Sequence, residues 1–182
     1  MNTPIQTEPV HKITRELAHV IHADNLFVDR IRKISDNQFE TEFTVDGRHS
    51  YLYENEAISN HVSGTSFLEV TRQLCKALSH LYYGVPIDSR FVLKNVSMEF
   101  SRWAKCGVPL YMHISVSAPP SASDSSTSSS FDVTLTNSQE GHELGLIKFS
   151  FSAFSQEVEH RLMSRQFNKP PIVEKIRSVP GP

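Results

Sequence analysis

The chain has 182 residues, 38% of them hydrophobic, which suffices for one domain with a sizeable core and is too short for two ordinary domains with linkers. Its 18 Lys and Arg against 20 Asp and Glu give a formal net charge of -2, so it lacks the concentrated basic excess that binding a nucleic-acid backbone requires. Cys75 and Cys106 stand in no CxxC or Cys/His spacing, which argues against a disulfide framework or a zinc site and predicts a reducing, cytoplasmic setting without metal or cofactor.

Residues 1–10 are polar with two prolines and read as a flexible arm, without the basic and apolar regions of a secretory leader. No run of about 18 apolar residues follows anywhere, so no membrane partner is expected. LFVDRIRKI (26–34) and QFETEFTVD (38–46) carry β-branched and aromatic residues in partial alternation around SDN, which predicts a β-hairpin. Residues 47–64 show no sustained period and read as loops. From Thr65 to Tyr83, Phe67, Val70, Leu74, Leu78 and Leu81 recur every three or four residues. That spacing predicts a long helix, capped by Thr65 or Ser66 and stopped by Gly84 and Pro86.

Four strands are expected next: RFVLKNVSMEFSRW (90–103), LYMHISVS (110–117), FDVTLTN (131–137) and LGLIKFSFSAF (144–154). Between the second and third lies a Ser/Pro-rich segment, 118–130, which reads as a mobile loop. Residues 156–182 form a polar tail with room for a short helix. A hairpin, one helix and then a run of antiparallel strands is an α+β order. Leu68, Cys75 and Tyr82 widen the apolar arc of the helix, so the sheet should curl around it as in a hot-dog fold, over a single domain at 11–155.

Glu69, Arg72 and Gln73 sit at i, i+3 and i+4 on one face of this helix. By spacing alone they form either a solvated ion pair worth a few tenths of a kcal/mol or a polar cluster facing a substrate. His80 reads as a helix C-terminal residue interacting with the last carbonyls. Lys76 reads as solvated, and Cys75 as a small buried hydrophobe. Arg48 and His49 lie in the pre-helix loop, where they can contact an anionic group.

Together with Ser79-His80, the Gly84-Val85-Pro86 turn and the strand order, the Glu69-x-x-Arg72-Gln73 pattern resembles the A-factor biosynthesis hot-dog family, the AfsA-like proteins. The opening PVHKITRELAHV is also similar. The match runs from about Val10 to Phe154 and is dense between Glu54 and Phe100. NHVSGTSFLE departs from the family's Asp-His-x-Pro-Gly form at Asn60 and Ser63, while His61 and Gly64 match. Members commonly hold two hot-dog repeats. This chain has length for one, so a homodimer would supply the second.

The resemblance implies transfer of a β-ketoacyl group from a thioester, on acyl carrier protein or coenzyme A, to the hydroxyl of a glycerol-derived phosphate. The product would be a butyrolactone or butenolide precursor of a signal or secondary metabolite. Glu69 and His61 are then the candidate bases, with Gln73 orienting the cluster. Arg72 would bind an anionic group, and the amides near Gly64 and Thr65 a carbonyl oxygen. A hot-dog thioesterase or dehydratase and a non-catalytic acyl-binding or assembly subunit are the rival readings.

Overall fold

The computed structural model describes residues 10–46, 60–120, 126–137 and 141–167. Among them are seven strands: β1 (Val10–Lys12), β2 (Arg30–Ser35), β3 (Gln38–Phe43), β4 (Arg90–Phe100), β5 (Leu110–Ala118), β6 (Ser126–Asn137) and β7 (Glu143–Phe154). They form one antiparallel sheet in the order β1-β2-β3-β5-β6-β7-β4. The helices are α1 (Arg15–Ala18), α2 (Gly64–Tyr83) and α3 (Gln156–Phe167), with a 3-10 turn at Ala23–Asn25.

The period of two in the strand sequences decides which face meets α2. Phe39 opposes Ile114, Ile114 opposes Val133 and Val133 opposes Ile147, and all four are buried. Phe131, Phe149 and Phe151 extend the same face toward β4. Against this concave surface α2 buries Phe67, Val70, Leu74, Cys75, Ala77 and Leu78, with Leu68, Leu81 and Tyr82 half-buried beside them. Apolar surface around so much of the helix requires a wrapping sheet, and the expected hot-dog arrangement is what forms.

The caps of α2 differ from expectation at one end. Ser63, two residues before Thr65, is the N-cap: its Oγ accepts from the Ser66 N–H at 3.2 Å, the geometry of a cap bonding three residues ahead. At the other end Gly84 adopts φ 66°, and Gly84 and Val85 both donate to the Ser79 carbonyl.

β4 needs a bulge to present its apolar residues on one side. In RFVLKNVSMEF the polar pair Lys94-Asn95 interrupts the alternation, and the register with β7 shifts between Leu93 and Asn95. Phe91 and Leu93 before the shift then share a face with Val96, Met98 and Phe100 after it, where strict alternation would have turned the second set outward. At the far end Phe100 lies over Gly145, whose missing Cβ would meet the Glu99 carbonyl oxygen at 2.5 Å.

Strand bounds also change, and β3 ends at Phe43 where the sequence predicts a strand to Asp46. The first hairpin strand begins at Arg30 rather than Leu26, because residues 25–27 are tied to α2 instead of to a strand neighbour. The strand expected to end at Trp103 ends at Phe100. The expected loop at 118–130 is shorter, since β6 starts at Ser126 and pairs through Ser130 with β7. A long β7 supplies backbone partners as far as Phe154, and serine composition does not prevent a ladder made of main-chain bonds. Residues 121–125 lie outside the described residues, as do 1–9, most of the pre-helix loop with Arg48 and His49, and the tail beyond 167. No helix among the described residues is long and apolar enough to cross a membrane.

Candidate functional site

One stripe of α2 does not face the core. Thr65, Leu68, Glu69, Arg72 and Lys76 recur every three or four residues, and they line a cavity of about 220 Å³ whose opposite wall is Phe91, Leu93, Phe149 and Phe151. β4 is the last strand of the sheet. Leu93 is 47% exposed, so the cavity opens at this free edge. A wider groove of about 620 Å³ crosses β2 and β3, but it is open and its charges pair among themselves, Arg32 with Glu40 at 2.6 Å. It contains none of the expected site residues.

Within the cavity, Arg72 grips Glu69 through two bonds, from Nε to Oε2 at 2.6 Å and from Nη2 to Oε1. This is the bidentate fork that a guanidinium offers a carboxylate. The Gln73 Nε2 adds a bond to Glu69 Oε1 at 2.9 Å. Burial pushes the Glu69 carboxyl up, yet the bonds from Arg72 and Gln73 and the charges of Arg72 and Lys76 outweigh it, holding the group below the usual carboxylate range. Glu69 is therefore ionised at neutral pH and able to accept a proton.

Gln73 stands behind the wall, fully buried. Its Nε2 also donates to the Asn25 carbonyl at 2.7 Å, while its Oε1 accepts the Phe27 N–H at 3.0 Å. Only one orientation of the amide satisfies these partners, because a flip would set oxygen against two acceptors and nitrogen against a donor. Gln73 thus ties the 25–27 segment to the carboxylate, and its contribution is to position Glu69.

Of the expected residues, Thr65, Glu69 and Arg72 come together on the cavity wall; His61, Gly64 and Gln73 do not line it. His61 precedes α2 in an isolated bridge with Lys105, its ring 5.9 Å from that of Trp103. Asn60, just before it, takes φ 54°, a left-handed conformation that Asn tolerates. An added Cβ on Gly64 would meet Met98 and Phe100 only at 3.8 Å, so close packing does not demand glycine there. His80 bonds a carbonyl beyond the helix instead of one of the last helix carbonyls: its Nδ1 reaches the Val85 carbonyl at 2.7 Å. Cys75 is fully buried, and burial raises its thiol far above the ordinary value.

Lys76 overturns the solvated reading. It is half-buried on the cavity wall, its Nζ 5.5 Å from the centre of the Phe91 ring. Its place one turn beyond Arg72 and two beyond Glu69 was a usable signal, as was the apolar pairing of Phe91 and Leu93. What spacing could not show is that β4 overhangs this stripe.

The family model of the A-factor biosynthesis hotdog domain, AfsA, matches residues 1–155. No curated protein matches the chain. Among solved structures, the dehydratase heterocomplex ApeI:P from Xenorhabdus doucetiae is similar with a TM-score of 0.61 and 17% identity, over 87% of this chain and 99% of that one. Thioesterase superfamily member 2 of zebrafish gives 0.53 and 17%, over 75% and 89%. A hot-dog-like protein from Thermanaerovibrio acidaminovorans gives 0.54 and 12%, over 73% and 92%. At these identities the likeness is one of fold.

Proposed function

The chain belongs to the A-factor biosynthesis hot-dog domain family, and on that premise we propose that it is an acyltransferase. It takes a β-ketoacyl group from a carrier-protein or coenzyme A thioester and passes it to a hydroxyl, toward a butyrolactone- or butenolide-type product. The observation that carries this reading is an ionised carboxylate, Glu69, fixed by Arg72 on the wall of a cavity whose opposite side is wholly apolar. The apolar wall suits an acyl chain, and the carboxylate suits proton removal from an acceptor.

In this mechanism Glu69 takes the proton of the acceptor hydroxyl as its oxygen attacks the thioester carbonyl. The tetrahedral oxyanion is met by the first-turn N–H at Thr65, which has no partner within the helix, and by Arg72; the Gly64 amide stands outside the cavity lining. Nε and Nη2 of Arg72 are engaged by Glu69, which leaves Nη1 for a ligand. Collapse expels the thiolate, which recovers the proton from Glu69. An anionic acceptor such as a glycerol-derived phosphate matches the surplus positive charge left by Arg72 and Lys76 against Glu69. His61 is not needed as a base in this scheme.

At about 220 Å³ the cavity is smaller than the roughly 300–1,000 Å³ usual for ligand sites, and it opens where β4 has no neighbour. A second copy pairing along β4 would extend both the sheet and the acyl site, so the working form is read as a homodimer.

Two proteins of similar fold are named as a thioesterase superfamily member and a dehydratase complex, which favours hydrolysis or dehydration as the second reading. Incubation with a β-ketoacyl thioester and a hydroxylated three-carbon phosphate separates these. An ester product is expected. Free acid alone would make the protein a hydrolase, a dehydrated thioester a dehydratase, and binding without turnover an assembly subunit.

A further inference from the structure

Among the described residues of the cavity wall, Lys76 is the ionisable group whose part in the acyl-transfer scheme is limited to its charge. Its surroundings are unusual for an ammonium. Among the described residues it makes no hydrogen bond or ion pair, although it is half-buried, and the nearest carboxylate has both oxygens engaged by Arg72 and Gln73. Phe91 lies under it, and Leu93, Phe149 and Phe151 continue the apolar wall. A half-buried cation without a carboxylate of its own is harder to keep charged than an exposed one.

The other charged and titratable groups around it reinforce this. Arg72 lies one turn back on α2, Arg90 is on β4, and the imidazoles of His19 and His80 stand behind Phe91. Burial acts first and the Arg72 charge next; against the opposing pull of Glu69 they bring the Lys76 amine down to about 8. About half of it is then neutral near pH 8, where an exposed lysine is almost entirely protonated.

From the placement of this amine, which has no hydrogen-bond or ion-pair partner among the described residues, against an apolar wall that can seat a carbonyl compound, we propose that Lys76 is a nucleophile that captures a ketone in the cavity as an imine. The proposal rests on the acyl-site reading, and it adds a covalent activity to it. The amine lone pair attacks the ketone carbon, and the carbonyl π pair moves to oxygen, which takes up the proton lost from nitrogen. The resulting carbinolamine loses its hydroxyl, with one proton, as water, and C=N forms. In its protonated form the imine draws electrons from the neighbouring carbon, so hydrogens on that carbon become exchangeable with solvent.

The ligand class is a ketone with an apolar tail, such as the β-keto group of an acyl thioester. Lys76→Arg keeps the charge and cannot form an imine, and Lys76→Met removes both. The test incubates the full chain at pH 8 with cyanoborohydride and either of two probes, 2-octanone or a β-ketooctanoyl thioester of N-acetylcysteamine, followed by peptide mapping. Hydrogen exchange into 2-octanone in deuterated buffer, without reductant, is followed in parallel.

The expected result is a reduced adduct on the Lys76 peptide with both probes, at least about tenfold above that on any other lysine, and exchange faster than buffer. Lys76→Arg should lose both while its melting temperature stays close to that of the parent. Adducts spread evenly over Lys12, Lys33, Lys94, Lys105 and Lys148, or an unmodified Lys76 with 2-octanone, would overturn the proposal. So would a stable amide on Lys76 formed from the thioester without reductant, since that is acylation and not imine formation. Capture of 2-octanone with no consumption of the thioester would instead sink the acyl-transfer reading and leave the reactive lysine standing.

Discussion

His19 and His80 meet Nε2 to Nε2 at 2.9 Å, with their rings 5.0 Å apart and only 10° from parallel. The Val85 carbonyl accepts a bond from His80 Nδ1, which places the His80 proton there and makes its Nε2 the acceptor; His19 must then present Nε2–H. Both rings stand edge-on to Phe91, so the pair joins α1 to α2 and to the cavity wall.

This pair predicts an acid-sensitive attachment. Burial and then the charge of Lys76, with smaller contributions from His80, Arg72 and Arg90, push His19 from 6.5 down to about 4. Burial lowers His80 as well, against its bond to Val85. Between these values the unfolded chain binds more protons than the folded one, so stability rises with pH. The contribution is fully present above about 6.5 and is lost as pH falls toward about 4. Asn tolerates the left-handed backbone of residue 19, at φ 53°, and does not titrate. His19→Asn should therefore flatten the melting temperature across pH 4–7. Identical slopes in the two proteins would contradict the pairing.

Gln73 makes a separate prediction about positioning. Gln73→Leu keeps the volume but strands the Asn25 carbonyl and the Phe27 N–H, and should cost about 1–3 kcal/mol in urea melts. The Arg72 fork remains, so turnover should fall by less than about tenfold, well short of losing the base itself. A variant as stable as the parent would show that the 25–27 segment does not depend on this amide.

The third prediction concerns the free edge. Val92, Leu93, Val96 and Phe100 on β4 are 54%, 47%, 38% and 41% exposed, an apolar edge of the kind that monomers usually guard with charge. Sedimentation should find a dimer at micromolar concentration. Val92→Lys, which lies outside the cavity lining, should raise its dissociation constant at least tenfold. A monomeric parent across that range would end the two-copy account.

How much of this was legible beforehand differs element by element. The period of Phe67, Val70, Leu74 and Leu78 and the stop at Gly84 defined α2 to within a residue, because helix burial and capping are local effects. Glu69 and Arg72 were legible as partners for the same reason. The start of β6 was not: Ser126–Ser130 becomes a strand through ladder bonds to β7, and its side chains carry no signal of that pairing. The position of Lys76 escaped too, because its burial depends on Phe91, brought over it from β4 by a contact distant in sequence. Gln73 was legible as a residue orienting the cluster, but its bonds to Asn25 and Phe27 were not, because those residues are distant in sequence.

The measurement that bears most directly on the whole account is thioester consumption by Glu69→Gln, with thermal melts on the same samples. Glutamine keeps the shape and much of the hydrogen bonding to Arg72 but cannot take up the proton of an attacking hydroxyl. Turnover should fall by about 10² to 10⁴ while the protein stays folded. A Glu69→Gln protein that melts like its parent and turns over at the parental rate would contradict the account and make the Glu69–Arg72 fork a structural pair.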